Sequence, residues 1–364
     1  MKVVEVKWKE PFPTPRSGHR LVAVGEYVVL FGGYTYKPVL GGELKKEVWC
    51  YHTPTGSWKL ILTDCANFPL SAASCAVASY GSKLIVFGGS GVNFGHTNSD
   101  SLHVLDMKTL SWEKIRLSGS LIEGGFGHSI SLGTDLSYLY LYGGCDGFHY
   151  FNTMNKICLK TWNNENFYRS NYYGVYRHES INHENKIMIF GGGNPHAQVD
   201  LGTVPYFCTT TNTWNVLHAN SQVNPNARLA HSCNKIKDYV IVMGGQAKKD
   251  DHSLENYALC DIWLFNLKSS SWTELPIVLP ERLFFHSSAK SNDDCIYTFG
   301  GSKYSGSGTV QRLNVLYKVS LFVSPLVELA WDVVSRHFVM DVPQLKLMHE
   351  IGIPSYFLDR LSSV

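Results

Sequence analysis

Six times along the chain, a run of large apolar residues ends in two glycines. The copies are Val28–Gly33, Leu84–Gly89, Tyr138–Gly144, Ile187–Gly192, Val240–Gly245 and Ile296–Gly301. From the first glycine of one doublet to the next, the steps are 56, 55, 48, 53 and 56 residues. A period near fifty marks a stacked repeat architecture. Four to six consecutive apolar residues make a strand buried on both faces. Glycine ends such a strand because it takes positive φ freely and lets another backbone come close. Each unit is too small to bury its own faces, so six units of one kind form one closed body.

The repeat overrides length, since 364 residues would otherwise suggest two domains. Hydrophobic content of 44% with 13% aromatics suffices for a large core. A net charge of +2 gives no electrostatic case for nucleic acid. The nine cysteines are scattered singly with no CxxC spacing, which predicts free thiols in a reducing compartment. No signal peptide and no apolar run of about eighteen residues is visible. The expectation is an intracellular protein, cytoplasmic and/or nuclear, with no membrane contact.

Within each unit the pattern predicts four antiparallel strands, the content of a propeller blade. Third strands fall at Val48–Tyr51, Leu102–Leu105, Lys156–Leu159, Val204–Phe207, Asp261–Phe265 and Val315–Val319. Trp58, Trp112, Trp162, Trp214 and Trp272 open the fourth strands of the first five units. Pro205 lacks a donor, so its strand should miss a ladder bond. The sixth unit has no fourth strand. An orphan strand at the N-terminus, Val3 to Lys9 with Trp8, is expected to complete it and remove two exposed sheet edges.

The glycine doublets, the third-strand aromatics and the fourth-strand tryptophans resemble the Kelch-repeat family. The resemblance implies an all-β, six-bladed propeller over residues 1–323, closed by residues 3–9. A helical tail over 324–364 follows. There Ser324-Pro325 reads as a helix start, and Leu326, Ala330 and Val334 share one helical face. The stretch Pro325–Val334 resembles the elongin-binding box of cullin-RING ligase receptors, with Leu326, Leu329, Ala330, Val333 and Val334 at its contact positions. Ala330 stands where that box has cysteine. Val342, Pro343 and Leu345 resemble the adjoining cullin-2 box, although Lys346 replaces an apolar residue. The implied partners are elongin B/C and cullin-2.

Strand order puts the loops after the doublets and the lead-ins to each blade on one side. Five lead-in histidines, His19, His128, His178, His231 and His286, recur at equivalent positions. They lie too far apart around a ring to share an ion and are expected to fasten the first strands. No metal site or cofactor is expected. Arg16, Arg177, Arg228 and Arg282 are expected at one mouth of the channel, where guanidinium forks suit a carboxylate. Tyr34, Tyr173, Tyr176, Phe284 and Phe285 would wall them, with His231 and Ser232 close by. Kelch receptors of this type bind C-terminal degrons, especially those ending in glycine or alanine. The resemblance thus implies a ligase substrate receptor, not an enzyme, that takes protein C-termini in the mouth. A Kelch scaffold regulating a phosphatase or stress kinase is the alternative. An enzyme on the Kelch fold, such as a copper oxidase, would need converging metal ligands. No nucleophile–base pair is visible.

Overall fold

The structure is a computed structural model that describes residues 1–37, 41–63, 65–249, 255–306 and 308–322. In the tail it describes Leu326, Leu329, Ala330, Trp331, Val333, Ser355 and Leu358. Six antiparallel sheets form a β-propeller with almost no helix. Their first strands, Arg20–Val24, Ala76–Tyr80, Ser129–Leu132, Glu179–His183, Ser232–Ile236 and Ser287–Lys290, lie innermost and neighbour one another in a closed ring. We number the blades I to VI in that order. The doublet strands come second, from Tyr27–Phe31 in blade I to Ile296–Phe299 in blade VI, and are almost wholly buried. Apolar clusters fill the spaces between adjacent blades rather than one central core.

The outer strand of blade VI comes from the chain's start. Lys2–Glu5 pairs antiparallel with Leu316–Ser320, from Lys2↔Ser320 to Glu5↔Tyr317. This strand is shorter than the expected Val3–Lys9. Trp8 lies beyond it and packs on the cluster between blades VI and I. One other tryptophan assignment is refined by register. In blades I, II, IV and V the fourth-strand tryptophan faces the third strand, as in Tyr51↔Trp58, Leu105↔Trp112, Phe207↔Trp214 and Phe265↔Trp272. In blade III that place is held by Asn164, opposite Ile157, and Trp162 sits in the preceding turn. Blade III also gains a short parallel strand, Ser118–Gly119, along Asn163–Asn164. Pro205 pairs outward with Val216, but the ladder to its inner neighbour stops one residue short, at Met188↔Tyr206.

The glycine doublets join the blades. In blade IV a Cβ on Gly191 would lie 2.6 Å from both the Arg228 carbonyl oxygen and the His231 ring. One on Gly192 would lie 2.5 Å from the His178 Cβ. This doublet is therefore wedged between its own blade's histidine and the next blade's. The same contacts recur at Gly143-Gly144, Gly244-Gly245 and Gly300-Gly301. The histidines thus fasten the first strands, as the repeat pattern implied. In blade II the wedge is Cys75, whose Sγ would meet a Cβ on Gly89. None of the nine cysteines is in a disulfide.

Burial depresses the basicity of these imidazoles. It takes His19, His128 and His178 to about 3 and His286 to about 4, and holds His231 well below its usual value. Folded rings thus stay neutral while unfolded ones titrate near 6.5. Stability is fully present above that pH and falls as the pH drops toward 3–4. Each ring contributes roughly 1.4 kcal/mol per pH unit in this window. Denaturant titration between pH 7.5 and 5 should show a steep loss of stability; a flat profile would contradict neutral wedges. Deleting residues 1–12 exposes the outer edges of blade VI, so the truncated chain should aggregate or melt well below the intact one. An unchanged melting temperature would remove the clasp from the account.

Candidate ligand-binding mouth

The lead-in to each blade fixes the mouth, position by position, counting back from the wedge residue. One residue before it stand Gly18, Ser74, Gly127, Arg177, Ala230 and Phe285, all left-handed, with φ between 54° and 71°. Their backbones bond in a cycle. Gly18 N–H donates to Phe285 O (3.1 Å), Phe285 to Ala230 (3.0 Å), and Ala230 to Arg177 (3.0 Å). Arg177 in turn donates to Gly127 (3.0 Å), Gly127 to Ser74 (2.9 Å), and Ser74 to Gly18 (2.6 Å). Six hydrogen bonds thus make a closed belt across the channel. Four of the six residues are not glycine, and each carries a left-handed penalty of about 1–2 kcal/mol.

Two residues before the wedge stand Ser17, Ala73, Phe126, Tyr176, Leu229 and Phe284. Each bridges to the residue after a doublet: Tyr34, Ser90, Cys145, Gly193, Gln246 and Ser302. The bridges hold the post-doublet loops upright around the belt. Aromatic rings line these loops as a collar. Tyr34 meets Phe94 (6.3 Å between centroids), Phe94 meets Phe126 (4.7 Å), and Phe126 meets Tyr176 (6.2 Å). Phe285, Phe284 and Tyr304 continue it in blade VI.

Three residues before the wedge stand Arg16 and Arg228, and here the sequence expectation is corrected. Arg228 is fully buried. It forms a fork on Asp261 (2.8 Å to each carboxylate oxygen) and donates to the carbonyls of Gly244 (3.0 Å) and Asn226 (3.0 Å). Arg16, also fully buried, holds Glu47 (2.7 Å), Gly32 O (3.2 Å) and Thr14 O (3.0 Å). Trp263 and Trp49 donate their indole N–H to the same two carboxylates, at 2.7 and 2.8 Å. Burial alone would raise the Asp261 and Glu47 carboxyls, but the arginine and indole donors outweigh it and hold both below the usual range. These arginines fasten the third strand to the doublet of their own blades. Both are buried and paired with a carboxylate of their own blade, so neither is left as an open cation for a ligand. His231 and Ser232 are likewise structural: the first is a wedge, and the second hydroxyl bonds the His286 ring at 3.0 Å. Arg282 is exposed and donates to Ala258 O at 3.3 Å.

Arg177 differs because it belongs to the belt. Its side chain is 7% exposed, hydrogen-bonds the Ser74 hydroxyl and lies 4.5 Å over the Phe285 ring. No carboxylate among the described residues pairs with it, and its Nε proton has no acceptor. Burial lowers it to about 10, so it is still a cation at neutral pH. Beneath it, Arg20 of blade I reaches Glu179 of blade IV (2.6 Å), a pair that spans opposite sides of the ring. The void they share with Arg177 measures ≈ 10 Å³, room for one water at most. The channel is therefore plugged at this level, and a ligand at this mouth would have to lie above the belt, among the post-doublet loops. The sequence reading missed Arg312. It bonds Ser17 Oγ at 3.1 Å and lies 5.1 Å over the Tyr34 ring, with no carboxylate partner among the described residues. Tyr173, half exposed, donates to Gln198 O at 3.4 Å.

Among the described residues no three acidic, histidine or cysteine side chains are grouped to hold a metal ion, and no helix is long and apolar enough to cross a membrane. In the tail, Leu326, Leu329, Ala330 and Val333 are exposed while Trp331 is buried. Val334, Val342, Pro343 and Leu345 lie outside the described residues.

Residues 1–144 and 146–335 match the KLHDC2/KLHL20/DRC7 Kelch-repeats domain. Kelch domain-containing protein 10 of Xenopus laevis is 31% identical over 96% of this chain and 86% of its own length. The Homo sapiens protein of that name is also 31% identical, over 96% of this chain and 80% of its own. The solved structure of YjhT superposes with a TM-score of 0.64 at 17% identity, covering 84% of this chain and 95% of the other, and shares the fold.

Replacing Arg228 by Ala leaves the half-buried Asp261 without its ion-pair partner. The expected loss is about 3–5 kcal/mol of folding stability, read by chemical denaturation. Near-native stability would mean that the pair does not anchor blade V.

Proposed function

This chain belongs to the Kelch-repeat propeller family, among relatives of Kelch domain-containing protein 10, and on that premise we propose that it is a non-enzymatic, substrate-recognition subunit of a cullin-2-type ubiquitin ligase. Its bowl receives the C-terminal end of a protein. The observation that carries this reading is the contrast between arginines. Arg16 and Arg228 are neutralised inside their blades, whereas Arg177 and Arg312 are held at the mouth with no carboxylate partner among the described residues. A cation so deeply buried, satisfied only by a hydroxyl and a ring face, gains from an anion that replaces the hydroxyl.

The floor supports a small terminal residue. Gly18, Gly127 and Ala230 leave half of the belt without bulk, so a chain ending in glycine or alanine brings its carboxylate close to Arg177. Aromatic walls at Tyr34, Phe94, Tyr176 and Phe285 suit the preceding side chains. Each charge-assisted hydrogen bond contributes about 1.5–3 kcal/mol. Two of them with apolar burial reach roughly micromolar affinity, about −8 kcal/mol. The exposed Leu326, Leu329 and Val333 fall at i, i+3 and i+7 of the tail helix, one face for elongin, which would link the ring to cullin-2.

A peptide array of free against amidated C-termini tests the bowl. Free glycine and alanine ends should bind. Amidation or Arg177→Leu should weaken them at least tenfold, with a smaller loss for Arg312→Ala. Equal binding of amidated and free ends would overturn the reading. Leu326→Glu with Leu329→Glu should abolish co-purification with elongin B/C yet keep peptide binding. Retained co-purification would remove the tail from that role.

A further inference from the structure

The face opposite the mouth carries the turns between first and second strands and between third and fourth. Between blades I and II it holds a groove of ≈ 470 Å³, a size suited to a small organic molecule. Val24, Tyr27, Ile61, Met107 and Leu110 give it an apolar floor. Burial pushes the neighbouring Cys50 thiol up to about 12, so it stays neutral. Two exposed lysines, Lys59 and Lys108, border the floor, and among the described residues neither is paired with a carboxylate. Glu26, the carboxylate in the same wall, accepts a hydrogen bond from Asn292 at 3.3 Å.

The groove sits at a position that recurs in the repeat. The turn before each fourth strand carries one left-handed residue: Gly56, Leu110, Trp162, Asn212 and Ser270 in blades I to V, with φ of 67°, 54°, 55°, 55° and 54°. Between blades II and III, Trp162 packs into the interblade cluster. Between blades I and II the same position is Leu110, which lines the groove. An apolar trough with two unneutralised cations at its edge complements a ligand with an apolar body and an anionic head. We propose that this groove binds a small amphipathic carboxylate, its chain on the floor and its head group at Lys59 and Lys108.

Titration calorimetry of the intact chain with decanoate tests this, with decanol as the uncharged control. Decanoate should bind one per chain. Decanol, and the double variant Lys59→Glu with Lys108→Glu, should each weaken binding at least tenfold. Leu110→Trp, which copies the side chain that blade III accepts at the same φ, should abolish binding without lowering the melting temperature. Arg177→Leu should leave it unchanged, which separates this site from the mouth. Absence of saturable decanoate binding would overturn the proposal. So would decanol binding as tightly as decanoate, or full binding by the Leu110→Trp variant. If that variant does not fold, the lysine variant and decanol still decide.

Discussion

The structure depends on a close approach that only glycine permits. At four of the six doublets the backbone presses against a histidine of its own blade and another from the next, and at the other two against the backbone of Ala72 or the Cys75 thiol, at distances that leave no room for a Cβ. The wedges set the spacing of six sheets, none of which has a core of its own. Because the contact is between a backbone and a ring rather than between two side chains, neighbouring blades vary in composition without changing the geometry. Blade II shows the tolerance, with Cys75 where the others have histidine. Neutral imidazoles are part of the fit, since a charged ring could not sit in these apolar seams.

From the wedges follows the belt. Once six equivalent residues are held at one radius, each in a left-handed conformation, their amides and carbonyls point at one another and close a cycle. The cycle converts what would be an open channel into a floor. Beneath it, Arg20 and Glu179 brace opposite blades. Above it, the bridged loops stand around a bowl lined with aromatic rings. The chemistry of that bowl is set by which side chain falls on each belt position. Arginine occurs there once, and small residues occur three times.

Much of this was readable in advance, and the failures are instructive. The doublets gave the blade number and the strand order, because their apolar runs are long and their period is regular. The histidines are legible as fasteners, because equivalent positions on a wide ring cannot converge. The arginines look alike in the sequence because Arg16, Arg177 and Arg228 all lie within three residues of a histidine. Two residues of register separate them: those three positions before the wedge turn into their own blade and meet a carboxylate, whereas the one immediately before it joins the floor. The partner acids, Glu47 and Asp261, are more than thirty residues away in sequence, so no local pattern announces the pairs. Trp162 fell to a similar shift, with Asn164 taking the packed place. Arg312 carries no local signal: it pairs with Ser302 in the hairpin after the sixth doublet, at the register position that Leu44 and Ala258 hold in blades I and V.

A crystal structure of the chain with a peptide ending in a free glycine carboxylate tests the central claim most directly. The carboxylate should lie within hydrogen-bond distance of Arg177 or Arg312, above an intact belt, with the Arg228–Asp261 fork undisturbed. A peptide seated on the opposite face, or a carboxylate bound by neither arginine, would contradict the account.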